Sequence, residues 1–176
     1  MYRRSHIRLS ELTVIRRATE SDYDGIADVM YDAVHNGPSA YTAAQRQAWL
    51  PARRSGPAWQ QRLDSQTVLV AERATELVGF MSLTQAGYID LAFVRPAAQR
   101  TGVFRRMYVE LEQLARQAGT ERLWVHASLM AQPAFSAMGF LITATEHVEV
   151  SGQTLQRYEM EKLLEPPRDD QARPGP

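Results

Sequence analysis

The sequence predicts an α/β domain of the α+β type: a mixed, mostly antiparallel six- to seven-stranded sheet flanked by helices on both faces. Three observations predict it. The apolar patterns run strand, two or three helices, three strands, helix, strand, helix, two strands. Turn residues closely separate most neighbouring strand segments, so those pairs read as antiparallel hairpins. Only two connections, the long helix from Gly102 and the short one before Gly139, demand a crossover.

Residues 1–11 are polar and basic with no apolar run, and are expected to be a flexible extension rather than a signal peptide. Leu12–Arg17 (LTVIRR) is β-branched and reads as the first strand. Thr19-Glu20-Ser21-Asp22 has capping-box spacing, and Ile26, Val29, Met30, Ala33 and Val34 follow at helical spacing. Together they predict a helix over Ser21–His35, ended by Asn36-Gly37-Pro38. Thr42-Ala43-Ala44-Gln45 is a second capping box and opens a short helix through Trp49. Pro51–Pro57 reads as a loop and Trp59–Leu63 as a helical turn. Val68–Glu72 and Leu77–Leu83 form a hairpin about Arg73–Glu76, and Gln85-Ala86-Gly87 turns into the strand Tyr88–Val94. After Gly102, Val103, Met107, Leu111, Leu114, Ala115 and Ala118 share one helical stripe, capped by Gly119. Arg122–Ser128 is a strand and Pro133–Met138 a short helix. Phe140–Val150 and Thr154–Glu161 close the fold as a hairpin about Ser151-Gly152. The Pro-, Asp- and Arg-rich stretch 165–176 is expected to be a disordered tail, which leaves 12–164 as one domain.

Composition narrows the function classes. Twenty basic and 20 acidic residues cancel, so the chain lacks the basic excess of a nucleic-acid footprint. With no cysteine there are no disulfides, no thiol nucleophile and no thiolate metal site, and a cytoplasmic location is expected. No segment approaches the roughly 20 apolar residues of a membrane span. His6, His35 and His147 have no metal-ligand spacing, so no metal is expected.

The chemistry concentrates between Tyr88 and Phe140. A strand ending in a turn, with glycine opening the next helix, offers free backbone N–H groups and a positive dipole end to an anion such as a phosphate. The residues Val94-Arg95-Pro96 and Gln99-Arg100-Thr101-Gly102-Val103-Phe104, followed in order by a strand, a short helix and Gly139-Phe140, resemble the GNAT superfamily of acyl-CoA-dependent N-acyltransferases. The resemblance runs from about Val14 to Leu163. It is nearest a bacterial branch with an A-W-x-P element, here Ala48-Trp49-Leu50-Pro51, and an A-S-x-x-A-x-P-x-F stretch, here Ala127–Phe135.

The resemblance implies acetyl transfer from acetyl-CoA to a primary amine by direct attack in a ternary complex. It implies that Gln99, Arg100, Thr101, Gly102, Val103, Phe104 and Arg105 hold the diphosphate. It also implies that backbone groups of Ala92, Phe93 and Val94 pair with the pantetheine arm and polarise the thioester. The sequence departs from the family at two places. Phe104 stands where Gly or Ala permits close approach, and its ring either shifts the phosphates or turns aside. Phe135 stands where many relatives place a tyrosine that protonates the leaving thiolate.

An alkylamine with a pKa of ~10.4 costs about 4–5 kcal/mol to deprotonate at neutral pH, so a base near the acceptor is useful. Strand alternation puts Asp90 on the face of Ala92 and Val94, and it reads as that base or as a paired strand residue. Tyr88, on the same face, lines the acceptor pocket or packs. Ser128 substitutes for the missing acid, hydrogen-bonds the pantetheine, or caps the following turn. His126 shares a face with Trp124 and Ser128 and reads as a relay or a structural histidine. Tyr41, Trp49 and Trp59 lie where relatives build the acceptor wall; Tyr41 is taken as substrate-binding, Trp49 and Trp59 as packing. The acceptor is a small-molecule or protein amine. A GNAT-fold acyl-CoA-binding or regulatory protein with little turnover is the competing reading, and the last hairpin offers an edge for a homodimer.

Overall fold

A computed structural model describes residues 12–165, so the expected extension over 1–11 and the tail beyond Glu165 lie outside the described residues. Among the described residues, seven strands form one sheet in the order β1-β2-β3-β4-β5-β7-β6. They are β1 (Thr13–Arg17), β2 (Thr67–Arg73), β3 (Glu76–Leu83), β4 (Tyr88–Val94), β5 (Arg122–Ser128), β6 (Leu141–Val150) and β7 (Gln153–Leu163). Every pairing is antiparallel except β4 with β5, which the long helix crossover makes parallel.

The helices are α1 (Tyr23–His35), α2 (Ala43–Trp49), α3 (Pro57–Asp64), α4 (Val103–Gln117) and α5 (Gln132–Ala137). α1 starts two residues later than its sequence pattern, because Glu20–Asp22 is wound as a 3-10 turn. There the Asp22 carboxylate accepts the Thr19 backbone N–H at 2.8 Å and a bidentate pair from Arg16 at 2.8 Å. The second capping box forms as read: Thr42 Oγ1 accepts from Gln45 N–H at 3.1 Å, and Gln45 Oε1 from Thr42 N–H at 2.9 Å. α3 begins at Pro57, which needs no N–H partner at the first helical position.

The sheet separates two apolar layers. α4 and α5 cover one face through Val103, Met107, Leu111, Phe135 and their partners Val94, Val125 and Met160. α1 and α3 cover the other through Ile26, Met30, Trp59 and Leu63 against Val70, Phe80 and Leu91. Trp59 is buried and donates its indole N–H to Tyr23 O at 3.1 Å, as expected for packing. β6 is the outer strand, with Leu141 and Ile142 exposed. Among the described residues no helix is long and apolar enough to cross a membrane.

Candidate active site

β4 and β5 form the site by failing to stay together. Their parallel ladder has two register pairs, Tyr88 with Trp124 and Ile89 with Val125. Beyond these the strands part, although β4 runs on to Val94 and β5 to Ser128. The opening is a wedge, with its vertex at Ile89 and Val125. An unpaired strand edge carries backbone N–H and C=O groups that want partners, so the wedge suits an extended ligand with amide groups.

From Val94 at the open end, the chain passes through a turn that bonds back to Val94 O and enters the N-terminus of α4. Arg100 and Gly102 both take left-handed backbone angles, with φ of 61° and 84°. Glycine suits the second position because an L side chain there is strained, although a Cβ would meet nothing within 4 Å. Such turns gather N–H groups into an anion-binding concavity. Gln99 Nε2 donates to Val94 O at 3.1 Å and Thr101 Oγ1 to Ala98 O at 2.7 Å, so both side chains brace the turn. Arg100 and Arg105 are exposed and take part in no ion pair among the described residues. The Phe104 ring turns aside: it meets Phe135 edge-to-face, with centroids 5.1 Å apart, and packs into the α4-side core. Phe135 in turn meets Phe140 at 5.1 Å. The phenyl groups at 104 and 135 therefore occupy each other.

The vertex departs from simple alternation. Ser82 pairs with Leu91 but Leu83 with Ile89, so Asp90 is the extra residue of a β-bulge. Ala92 and Val94 enter the α4-side core, while Asp90 is turned to the opposite side, towards α3; the expectation of one shared face is corrected by this bulge. Arg62 Nε and Nη2 grip Asp90 at 2.8 Å each, and Gln66 Nε2 adds a third bond at 2.8 Å. Burial alone pushes the Asp90 carboxyl up, but these bonds and the Arg62 charge outweigh it and hold it below its ordinary value. Asp90 is the paired strand residue of the two readings.

Ser128 Oγ accepts the Ala131 N–H at 3.1 Å and so caps the turn into α5. Tyr41 is a fastener between segments. Its hydroxyl donates to Gln156 O at 2.6 Å and accepts the Leu129 N–H at 2.9 Å, tying the loop before α2 to β7 and the end of β5. Trp49 packs tilted onto Phe93 at 6.0 Å and stays partly exposed.

Tyr88 packs on Trp124 at 4.4 Å and on His126 at 5.6 Å, and its hydroxyl lies 3.1 Å from His126 Nδ1. On the far side of the imidazole, Nε2 lies 3.6 Å from Glu146 and 3.8 Å from Glu159. Arg62, Gln66, Glu146 and Glu159 escaped the sequence reading, because nothing local marks them. They reach the vertex from α3, the segment after it, β6 and β7.

Comparison with known proteins places this geometry. The Acetyltransferase (GNAT) domain family matches residues 37–162. The uncharacterized N-acetyltransferase YafP of Escherichia coli (strain K12) is 30% identical over 147 residues, which span 83% of this chain and 93% of that one. A GCN5-related N-acetyltransferase from Rhodopseudomonas palustris superposes with a TM-score of 0.78 at 26% identity, covering 90% of this chain and 99% of that one. The acetyltransferase yncA of Salmonella typhimurium, solved with its cofactor acetyl-CoA, shares the fold at a TM-score of 0.66 and 21% identity, over 94% of this chain and 99% of that one. With its splayed β4 and β5 and the glycine turn into α4, this chain belongs to the GNAT acetyltransferase family.

Proposed function

We propose that the protein transfers an acetyl group from acetyl-CoA to a primary amine, by direct attack within a ternary complex. The observation that carries this reading is the two-rung wedge whose open end meets the N-terminus of α4. From Val94 back to Asp90 the free edge of β4 is about 13 Å long at about 3.3 Å per residue, an extended track for a pantetheine arm.

The residues present suit an acyl-CoA. Gly102 keeps open space beside the helix terminus, and Phe104 points inward, so the first amides of α4 stay accessible to a diphosphate. Arg100 and Arg105 add charge-assisted contacts, while Gln99 and Thr101 hold the turn. Backbone groups of Ala92, Phe93 and Val94 pair with the arm, and the bulged backbone at Asp90 and Leu91 directs an N–H towards the thioester oxygen. When bound, acetyl-CoA supplies an activated thioester carbonyl. Arg62 and Gln66 lock the bulge through Asp90, which makes Asp90 a positioning residue for that backbone. Tyr88 and Trp124 present aromatic faces on the acceptor side, and Ser128 keeps the end of β5 in place.

A protein that binds acyl-CoA with little turnover is the second reading. It draws on Phe135, which has no proton to give a leaving thiolate. Calorimetric titration with acetyl-CoA, followed by thiol release over a panel of ethanolamine, benzylamine, spermidine and an amino-terminal peptide, tests both. Binding with amine-dependent CoA release is expected. Binding without release selects the second reading, and no binding overturns both. The homodimer draws on the open edge of β6, and sedimentation equilibrium decides it.

A further inference from the structure

The reaction needs a group that takes the ammonium proton, and Asp90 is committed to Arg62 and Gln66. Tyr88 and His126 also stand at the vertex in contact with each other, with Glu146 and Glu159 behind the imidazole. Tyr88 belongs to the first rung of the β4/β5 ladder, and His126 is the first residue of β5 beyond the last rung. Both are half-buried on the face opposite α4, beside Trp124.

We propose that Tyr88 and His126 form the proton relay of this site, with Glu146 and Glu159 orienting the imidazole. This inference rests on the transferase reading given above. The orientation follows from donor chemistry. Carboxylates only accept hydrogen bonds, and the two that face Nε2 favour a proton there. At 3.6 and 3.8 Å they act through charge rather than direct hydrogen bonds. Nδ1 is then the lone-pair side, so the Tyr88 hydroxyl, 3.1 Å away, is the donor.

In the proposed step the Tyr88 oxygen takes a proton from the acceptor ammonium while its own proton passes to His126 Nδ1. The N–H bond of the ammonium and the O–H bond of the phenol break as a new O–H and a new Nδ1–H form. The products are a neutral amine and an imidazolium, which later gives its proton to water. The amine's second proton goes to the departing thiolate during acyl transfer, so the balance closes without another reactant.

The surroundings of the pair are mixed in charge. Glu159 on β7 bonds Thr143 Oγ1 at 2.9 Å, and Glu146 on β6 is shared with Arg157 of β7 at 2.7 Å. Asp90 and Arg62 lie on the Tyr88 side. Burial, with the Asp90 charge, pushes the Tyr88 phenol up, which keeps it protonated as a relay requires and prevents it from acting as a lone base.

The test combines activity with a direct readout of the imidazole. His126→Gln and Tyr88→Phe both conserve shape, and acetyl-CoA titration shows whether each variant keeps its folded site. With the fastest amine of the panel named above, each is expected to lose about 100-fold in kcat near pH 7. The acetyl-CoA KM should stay within about twofold, and the loss should shrink as pH approaches the amine's own pKa of ~10. ¹⁵N-histidine NMR, at a pH where the imidazole signals report the neutral ring and with His126 assigned from His126→Gln, should show the Nε2–H tautomer. A neutral Nδ1–H tautomer overturns the relay. So does a His126→Gln enzyme whose rate and pH profile match the wild type. Absence of CoA release by the wild type with every amine overturns the transferase reading and the relay together.

Discussion

The two ends of the β4/β5 wedge are built from different materials. At the open end, the proposed anion-binding surface is backbone: a left-handed turn at Gly102 and the first amides of α4, with side chains serving as braces. At the vertex the surface is side chain: Tyr88, His126, Glu146 and Glu159, gathered from four strands. A backbone site tolerates a replacement such as Phe104, because the ring can leave while the amides remain. A side-chain site has no such tolerance, since each member supplies its own proton or charge. The contrast fits a fold that binds one invariant ligand arm at one end and a particular acceptor at the other.

Four substitutions or conditions test this contrast. The largest effect is expected at the vertex. Arg62→Met leaves Asp90 half-buried without its main partner and should cost about 1–3 kcal/mol in urea unfolding. It should also speed amide exchange at Leu91, which neighbours the bulge. Unchanged exchange there would mean that the clamp does not hold the bulge.

At the open end, Gly102→Val places a β-branched residue at φ 84° and should cost about 1–2 kcal/mol in urea unfolding. Because the strain falls on the anion turn, acetyl-CoA binding by calorimetry should weaken by roughly tenfold. Full affinity in this variant would move the diphosphate away from the turn.

Phe104→Ala is the milder test of the same end. Loss of the edge-to-face contact with Phe135 should cost about 0.5–1.5 kcal/mol in thermal unfolding beyond the loss of the ring's buried area, with acetyl-CoA affinity changed by less than about twofold. A marked gain in affinity would show that the ring obstructs the phosphates.

The fourth test is a control further along α4. On α4, Glu112 would be pushed up by burial, but hydrogen bonds from Lys162, Tyr108 and Arg116 outweigh this and hold it at about 2. Its folded value is depressed, so its stabilisation is complete above the ordinary carboxylate value of 4.5 and is lost as pH falls through about 2. Lys162→Met should flatten the fall in unfolding free energy across that acid window, with little change in acetyl-CoA affinity at pH 7. A fall of equal size in the variant would assign the acid sensitivity to Asp22, which Arg16 also holds at about 2.

Much of the open end was legible in the sequence. Gly102 stands where a strand–turn–helix needs a left-handed residue, and the capping boxes at Thr19 and Thr42 marked their helices within two residues. These signals are local: a few adjacent residues satisfy one another's backbone groups. The vertex was less legible. Tyr88, Asp90, Ser128 and Tyr41 were singled out, but Asp90 was placed on the wrong face, because alternation counts residues and a bulge adds one. Ser128 and Tyr41 prove to be tied into turns and strand connections by bonds to Ala131, Leu129 and Gln156.

The strand and helix order, the parallel crossover through α4 and the left-handed turn at Gly102 follow from the amino-acid sequence. Each depends on apolar periodicity or on one residue's backbone preference, and both are written in short windows. Three features come from the folded packing instead: which way Phe104 turns, which partners claim Asp90, and that His126 stands between Tyr88 and two glutamates. The first two depend on how α3, α4 and α5 pack on the sheet, and the last on strand register across residues 33 and 38 positions apart, as for His126 with Glu159 and Tyr88 with His126. Register is set by the packing of the whole sheet, so no local stretch of the chain can carry it.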